Sequence, residues 1–525
     1  VRRGLLVGVL ALGLLGAATA AARWWAGEEI TRQLLRRDAR WDHRSDRFTS
    51  IRIDGLALPG VEVETAQVDL VAGRVALAGV DVDARALLAA EAPVAEGAPA
   101  SSGPSVPLRA EDLTLRWGET VLAEGLSGSL RPEVELEGPG LRLVRRGEST
   151  EARLTRLVEL PVLSGEATAE ITCTGRDCAG ELRMDEAVLD HPLLAPAPLP
   201  PQRLLATLST ASSENGSLQL TGTVSLGLVE AAVELGWEDG SAMVELSTEN
   251  TPLEDVVALF GPLIPEASAA ILGGTVGLDA TYRWPDGAWS ARPRAAGLRA
   301  EAVLPPVDLR GGPFAWSAPT ASGETALRRS GDGVHGWVPL REAGLFPDAA
   351  IAAEDSAFAR HPGYDLEAMQ AALDRMSAEP DGLLRGGSTL TQQLAKNLFL
   401  DSADRTLLRK LRELLFALEL ESTLPKRRIL ELYVNVVELG PGLIGVGEAA
   451  DAYFLKRPAR LAPREAAFLA SVLPAPRSRG ARAWRGGRVP DARIDGILQN
   501  MVNGGALSAD AAAAARRAPL RFVPP

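Results

Sequence analysis

EDSAFARHPGYD (residues 354–365), GGSTLTQQLAKN (386–397), RKLRELLFALELE (409–421) and KRRILELYVN (426–435) follow one another in a single stretch of the chain. The last three carry the periodicity of amphipathic helices. In GGSTLTQQLAKN, Thr389 and Gln392 have the spacing of a capping box, and the paired glycines Gly386 and Gly387 allow a tight backbone approach. The helix that follows places Leu390, Leu394 and Leu398 on one face and Gln392, Gln393 and Lys396 on the other. In the next block Leu407, Leu411, Leu414 and Leu418 predict the buried stripe, with Arg409 and Glu413 one turn apart and pointing away from it. In KRRILELYVN the apolar face is Ile429, Tyr433 and Val436, while Glu431 and Asn435 share the far side. Each helix alone reads as an ordinary amphipathic helix with a solvated face and an i,i+4 ion pair. The combination does not.

At 525 residues the chain is expected to hold two or three domains, and 46% hydrophobic with 23% charged residues is a globular composition. The net charge of −13 is uneven: residues 336–525 carry 25 Lys+Arg against 22 Asp+Glu, leaving 30 against 46 in residues 1–335. An acidic first part argues against nucleic acid as partner, because phosphate binding is dominated by Lys and Arg. The second part tolerates an anionic ligand. Lysine is confined to Lys396, Lys410, Lys426 and Lys456, all in the second part, and three of them fall inside the quoted blocks. In a chain this biased toward arginine, a retained lysine marks either a place needing a compact ammonium or chance clustering under a coding bias.

Residues 4–22 are uncharged and about long enough to cross a bilayer. Arg2 and Arg3 precede them and Trp24 and Trp25 follow, which places the rest of the chain outside the cytoplasm. A retained anchor over residues 1–30 is the reading adopted; the Ala-rich end (residues 17–22) also suits a cleaved signal peptide. From Ile51 the period changes to two. Ile51/Ile53, Val61/Val63, Val68/Leu70, Val75/Leu77 and Val80/Val82 alternate with polar or small residues between Gly55, Gly60, Gly73 and Gly79, the signal of half-buried antiparallel strands. A β-rich exported region is expected over residues 43–303, in one or two subdomains, with breaker-rich loops at 90–107 and 196–201. Cys173 and Cys178, in CTGRDC, suit a small disulfide-closed turn. Zinc is not expected there, since none of His43, His191, His335 and His361 is close in sequence to either cysteine. Residues 304–335 are rich in Pro, Gly and Ser and read as a linker, 336–490 as a helical domain and 491–525 as a helical tail.

Taken together, the four blocks closely resemble the signature of the peptidoglycan glycosyltransferases, the glycan-polymerising module of bifunctional penicillin-binding proteins and of monofunctional transglycosylases. The likeness covers residues 337–484, with WVPL (337–340) resembling the family's lead-in and GVGEAADAYFLK (445–456) and LAPREAAFLASVLPAP (461–476) its closing helices. The departures are small. Leu390 stands where the family more often has Ile, Val434 where it often has Leu, and GPGLIGVGEAA (440–450) replaces a version with an aromatic before the glycine. In its glycine-punctuated repeats, such as LPGVEVETAQVDL (58–70), the β-rich region weakly resembles the exported domains of AsmA-like envelope proteins, and reads equally as a generic β-rich spacer.

The fold class expected is a multidomain α+β protein: an N-terminal transmembrane helix and a β-rich exported region from the sequence pattern and, as the resemblance implies, a C-terminal, mostly α, lysozyme-like glycosyltransferase domain. It implies polymerisation of lipid II outside the cytoplasmic membrane, with loss of undecaprenyl pyrophosphate. Carried over by position, Glu354 is the general base for the acceptor hydroxyl, and Glu413 sits by the leaving group, organising cations or a metal. Lys396, Arg409 and Lys410 offset pyrophosphate charge, and Ser388, Thr391, Gln392, Gln393 and Asn397 bind sugar or phosphate. Phe358, Lys426, Glu431 and Asn435 complete the substrate-binding set, with Asp355 and His361, which suit equally well a brace for the loop carrying Glu354. The resemblance allows a divalent metal, Mg or Mn, although no dedicated ligand cluster is visible. The expected partners are lipid II, the growing lipid-linked strand, the cytoplasmic (inner) membrane and other cell-wall synthesis proteins. The location is single-pass in that membrane, with the catalytic part on the periplasmic or outer face. No Ser-x-x-Lys or Lys-Thr-Gly occurs, so peptide cross-linking is not expected. Two other readings stay open at this level: a lysozyme-like hydrolase or lytic enzyme, which also uses paired carboxylates, and a non-enzymatic, lipid-handling envelope protein.

Overall fold

A computed structural model describes residues 40–46, 50–58, 61–69, 74–83, 108–117, 120–131, 133–147, 149–159, 162–174, 177–212, 218–238, 241–378, 386–400, 406–480, 482, 485 and 489–523. The expected membrane segment (1–30) and the loop at 90–107 lie outside these. Among the described residues no helix is long and apolar enough to cross a membrane. The chain forms two compact units: residues 1–160, 164–187 and 203–224, and residues 161–163, 188–202 and 225–525.

The first unit is built of strands. β1 (His43–Asp46), β2 (Ser50–Leu58), β3 (Val61–Asp69), β4 (Arg74–Asp83), β5 (Leu108–Trp117), β6 (Thr120–Arg131), β7 (Val134–Gly138), β8 (Leu141–Arg146), β9 (Ser149–Glu159) and β10 (Leu163–Thr174) pair in chain order. All these pairs are antiparallel except β4 with β5, which is parallel. β11 (Asp177–Leu189), β12 (Gln202–Ser212) and β13 (Leu218–Leu226) follow. The register explains the core. Ile53 faces Ala66, Ala66 faces Leu77 and Leu77 faces Ala110, while Leu56, Val63, Val80 and Leu113 make the next row. All eight are buried, as a period of two with one apolar face requires. Cys173 and Cys178 are disulfide-bonded across the turn from β10 to β11.

The second unit joins strands to helices. β14 (Val229–Glu238), β15 (Ser241–Thr248), β16 (Thr251–Pro252), β17 (Ile271–Trp284) and β18 (Trp289–Glu301) are antiparallel neighbours, with α1 (Leu253–Ala258) on β17. The β-rich region is therefore not one body that ends before the helices begin; its last five strands belong to the helical unit. The expected linker at 304–335 holds a hairpin, β19 (Pro313–Pro319) with β20 (Thr325–Gly331), that buries Phe314, Trp316 and Ala318 in the helical core. Its Pro and Gly punctuate a turn and a strand end, and the alternate apolar residues between them decide its fate.

The helices are α2 (Phe346–Glu354), α3 (Leu366–Ala378), α4 (Leu390–Phe399), α5 (Leu407–Thr423), α6 (Lys426–Val436), α7 (Gly445–Phe454), α8 (Pro463–Val472), α9 (Asp491–Asn503) and α10 (Ala509–Arg517). Short strands β21 (Glu438–Gly440) and β22 (Leu443–Ile444) link α6 to α7. The expected tail is α9 and α10, and it is no appendage. Ile494, Ile497, Leu498, Met501, Ala512 and Ala515 are buried in the core shared with α2 and α8.

Candidate active site

Glu354 ends α2, and its position is set from below by its neighbour. The Asp355 carboxylate meets His361 Nε2 at 2.9 and 3.0 Å and accepts the Leu390 amide of α4 at 2.9 Å. Because His361 Nδ1 accepts the Gly363 amide (3.2 Å), the proton sits on Nε2 and is donated to Asp355. Thr389 caps α4 through the Gln392 amide at 3.2 Å, Gln392 returns a bond to the Thr389 amide at 3.0 Å, and Thr389 Oγ1 donates to the Gly363 carbonyl at 2.7 Å. Gly387, at φ +82°, runs so near α3 that a Cβ there would lie 3.1 Å from the Met369 Cα. The loop carrying Glu354 and the first turn of α4 are thus one rigid piece.

A second set of bonds ties that piece to α5 and α6. Thr391 donates to Glu421, and Lys426 Nζ reaches both Glu421 (2.8 Å) and the His361 carbonyl (2.7 Å). The same ammonium lies 4.5 Å from the centre of the buried Phe358 ring. Glu431 and Asn435 face the lead-in segment. Glu431 accepts the Leu340 amide at 2.9 Å, and Asn435 exchanges two 2.8 Å bonds with the backbone of Val338. Of the expected substrate-binding residues, then, Asp355, Phe358, His361, Thr391, Gln392, Lys426, Glu431 and Asn435 spend their polar or aromatic groups on holding the site together.

What remains is a carboxylate at each end and cations between them. Glu354 Oε1 accepts from Arg493 Nη2 at 2.7 Å and Oε2 from Gln393 Nε2 at 3.2 Å, while Tyr433 donates to Gln393 Oε1 at 3.0 Å. Burial pushes the Glu354 pKa above the ordinary carboxylate value, against the opposing pull of Arg493, Gln393, Arg479 and Lys396. Burial likewise holds the Tyr433 phenol well above its usual pKa. At the other end Glu413 is 1% exposed. It is enclosed by Arg409 and by Lys410, whose Nζ lies 2.7 Å from Glu413 Oε2 and 2.8 Å from Ser388 Oγ.

Of the expected leucine stripe on α5, Leu418 is buried and Leu411 and Leu414 pack half-buried on the core, but Leu407 is 53% exposed; Leu408 and Leu415 are buried beside them, and Glu413 points inward. Lys396 stands between the two carboxylates. It is half-buried, has no partner at hydrogen-bonding distance among the described residues, and feels both Glu413 and Glu354. Burial lowers its pKa below the usual lysine value, and Arg409 and Lys410 add to that. Asn397 follows it, half-buried.

Arg493 is the site residue that the sequence reading missed, since it lies in what reads as a tail. A divalent metal does not fit the side chains as they stand. Both oxygens of Glu413 are occupied by Arg409 and Lys410, and no group of three His, Cys, Asp or Glu gathers among the described residues.

Comparison with known proteins bears on this cluster. The transglycosylase family model matches residues 329–502, from β20 to α9. A biosynthetic peptidoglycan transglycosylase of Thiobacillus denitrificans is 43% identical over 177 residues, 32% of this chain and 75% of that protein. One from Rhodospirillum centenum is 47% identical over 169 residues, covering 31% of this chain and 71% of the relative. The chain belongs to the peptidoglycan transglycosylase family. A third such protein, of Shewanella amazonensis, is 52% identical over 144 residues, 27% of this chain and 57% of its own length, so here the chain spans just over half of the relative. The match includes α9, and with it Arg493, and leaves out everything before residue 329.

Proposed function

We propose that the chain polymerises lipid II into glycan strands, releasing undecaprenyl pyrophosphate, on the outer face of the cytoplasmic membrane. The observation that carries this reading is Lys396. An ammonium half-buried between Glu354 and Glu413, with no partner at hydrogen-bonding distance among the described residues, suits a substrate that brings its own negative charge. A simple glycan hydrolase has no pyrophosphate to neutralise.

In this reading Glu354 takes the proton from the acceptor sugar's 4-hydroxyl as that oxygen attacks the donor's anomeric carbon. The glycosidic bond forms as the bond to pyrophosphate breaks. Gln393, fixed by Tyr433, orients one Glu354 oxygen and Arg493 the other. Lys396 faces the charge that develops on the leaving pyrophosphate. Arg409 and Lys410, held in place by Glu413, stand on the same side and keep it positive. A lytic enzyme would generate new reducing ends from preformed strands. We expect none from this protein, and sustained release of reducing ends would favour the hydrolase.

Two expectations arise directly from the geometry. A base works only when deprotonated, so activity falls as pH drops through the pKa of Glu354. Arg493 holds that pKa down, so Arg493→Gln should move the acid limb of the pH–rate profile to higher pH, with Arg493→Lys falling between variant and parent. An unmoved limb would remove Arg493 from this role. Lys396→Arg keeps the charge but places a larger, planar group in a confined space. A loss of roughly tenfold is expected, short of the ~10²-fold cost of deleting a transition-state donor. Lys456→Arg, whose ammonium pairs with Glu465 away from this cluster, should be milder. Equal, near-parental turnover of lipid II by both variants would reduce Lys396 to a generic cation.

A further inference from the structure

We propose that residues 188–202 and 225–309, which lie outside the family match, hold helix α5 along its length and so position Glu413. These segments fold with the helices as one compact unit. Three separate contacts make the clamp. At the start of α5 the Leu407 and Leu408 amides donate to the Leu193 and Leu194 carbonyls at 2.8 and 2.9 Å. A helix leaves its first amides unpaired, and here two of them are used to fix where the helix begins.

In the middle, Arg412 makes a two-pronged pair with Glu266, with Nε on one oxygen and Nη2 3.1 Å from the other. Near the end, Glu419 Oε2 accepts the Val303 and Leu304 amides at 2.6 and 2.7 Å, just beyond β18, which itself packs against α5. Arg412 and Glu419 are seven residues apart and share a helix face. Glu413 is the next residue after Arg412, so it points elsewhere, into the cluster with Arg409, Lys410 and Ser388.

The clamp therefore fixes both the axial position and the rotation of α5 without touching the reacting groups. That matters because catalysis is sensitive to small displacements: a shift of about 1 Å in a positioned group costs around 10²-fold. Glu266 and Glu419 act as positioning residues through Glu413 and its cations. The carboxylate of Glu354 itself is bonded from α4 and α9, with Tyr433 of α6 fixing Gln393, and none of these bonds comes from α5.

The consequence for activity rests on the lipid II reading. The experiment uses the full chain, as parent, Glu266→Ala, Glu419→Gln and the double variant. It measures kcat and KM for lipid II across pH, well below the unfolding temperature, together with amide hydrogen exchange. The double variant is expected to lose about tenfold in kcat. Its KM should stay close to parental and the acid limb should not move. Exchange should quicken in residues 407–423 and stay unchanged in 390–399. Glu266→Asp should recover part of the rate.

Unchanged exchange in 407–423 overturns the clamp, and so does parental kcat despite faster exchange. A shifted acid limb would also count against it, since that places the effect at Glu354. If the parent itself fails to turn over lipid II, the functional reading falls, and the exchange result alone decides whether α5 is held this way.

Discussion

Glu354→Gln is expected to abolish strand synthesis, by about 10²-fold or more, while the protein stays folded. The Glu354 carboxylate is largely buried, accepts from two directions and keeps basic character. Arg493 and Gln393 both donate to it, and its pKa is raised by burial. A glutamine keeps the shape and can still accept from Arg493, but its amide cannot take up the acceptor's proton. The check is lipid II turnover with circular dichroism for the fold. A glutamine variant synthesising chains at near-parental rate would take Glu354 out of the mechanism.

Glu413→Gln should also cost about 10²-fold in rate, for a different reason. Glu413 does not meet the acceptor. Its two oxygens keep Arg409 and Lys410 in place, and the side chains of Glu413 and Arg409 are 2% and 13% exposed. Removing one partner of a buried ion pair leaves the other uncompensated, at about 3 kcal/mol or somewhat more. For a compact unit of about 320 residues, whose unfolding entropy is about 2.1 cal/mol/K per residue, that corresponds to a fall in Tm of about 4–5 °C. The joint outcome separates the two carboxylates: Glu354→Gln loses rate with little change in Tm, and Glu413→Gln loses both. Should Glu413→Gln retain parental activity and Tm, the Glu413 carboxylate would have no part in placing Arg409 and Lys410 for the reaction.

Much of this was legible in the sequence where short-range rules act. The capping box at Thr389 and Gln392, the buried Leu390, Leu394 and Leu398, and the apolar face of Ile429, Tyr433 and Val436 all follow from spacing alone. In the first unit the alternation of Ile53, Val61, Val63, Val75 and Leu77 reads directly as the buried face. The exported location and the membrane anchor rest on residues outside the described set and stand as proposals.

The misreadings share a cause. The leucine stripe predicts one inner face for α5, yet a helix packed on several sides buries more than one face, and a carboxylate is tolerated there once it is paired. Glu431 and Asn435 look solvated until the lead-in segment arrives some ninety residues upstream to use them. Arg493 opens a helix with a clear buried stripe, Ile494, Ile497, Leu498 and Met501, so its packing could have been inferred. Its contact with Glu354 could not, because no local rule joins residues so far apart in the chain.

Lipid II polymerisation is tested by incubating the purified chain with labelled lipid II and sizing the products on a gel. A ladder of long glycan strands that grows with time is expected, accompanied by release of undecaprenyl pyrophosphate and absent in Glu354→Gln. Lipid II left intact by a folded parent chain, or converted only to short hydrolysed fragments, would contradict it.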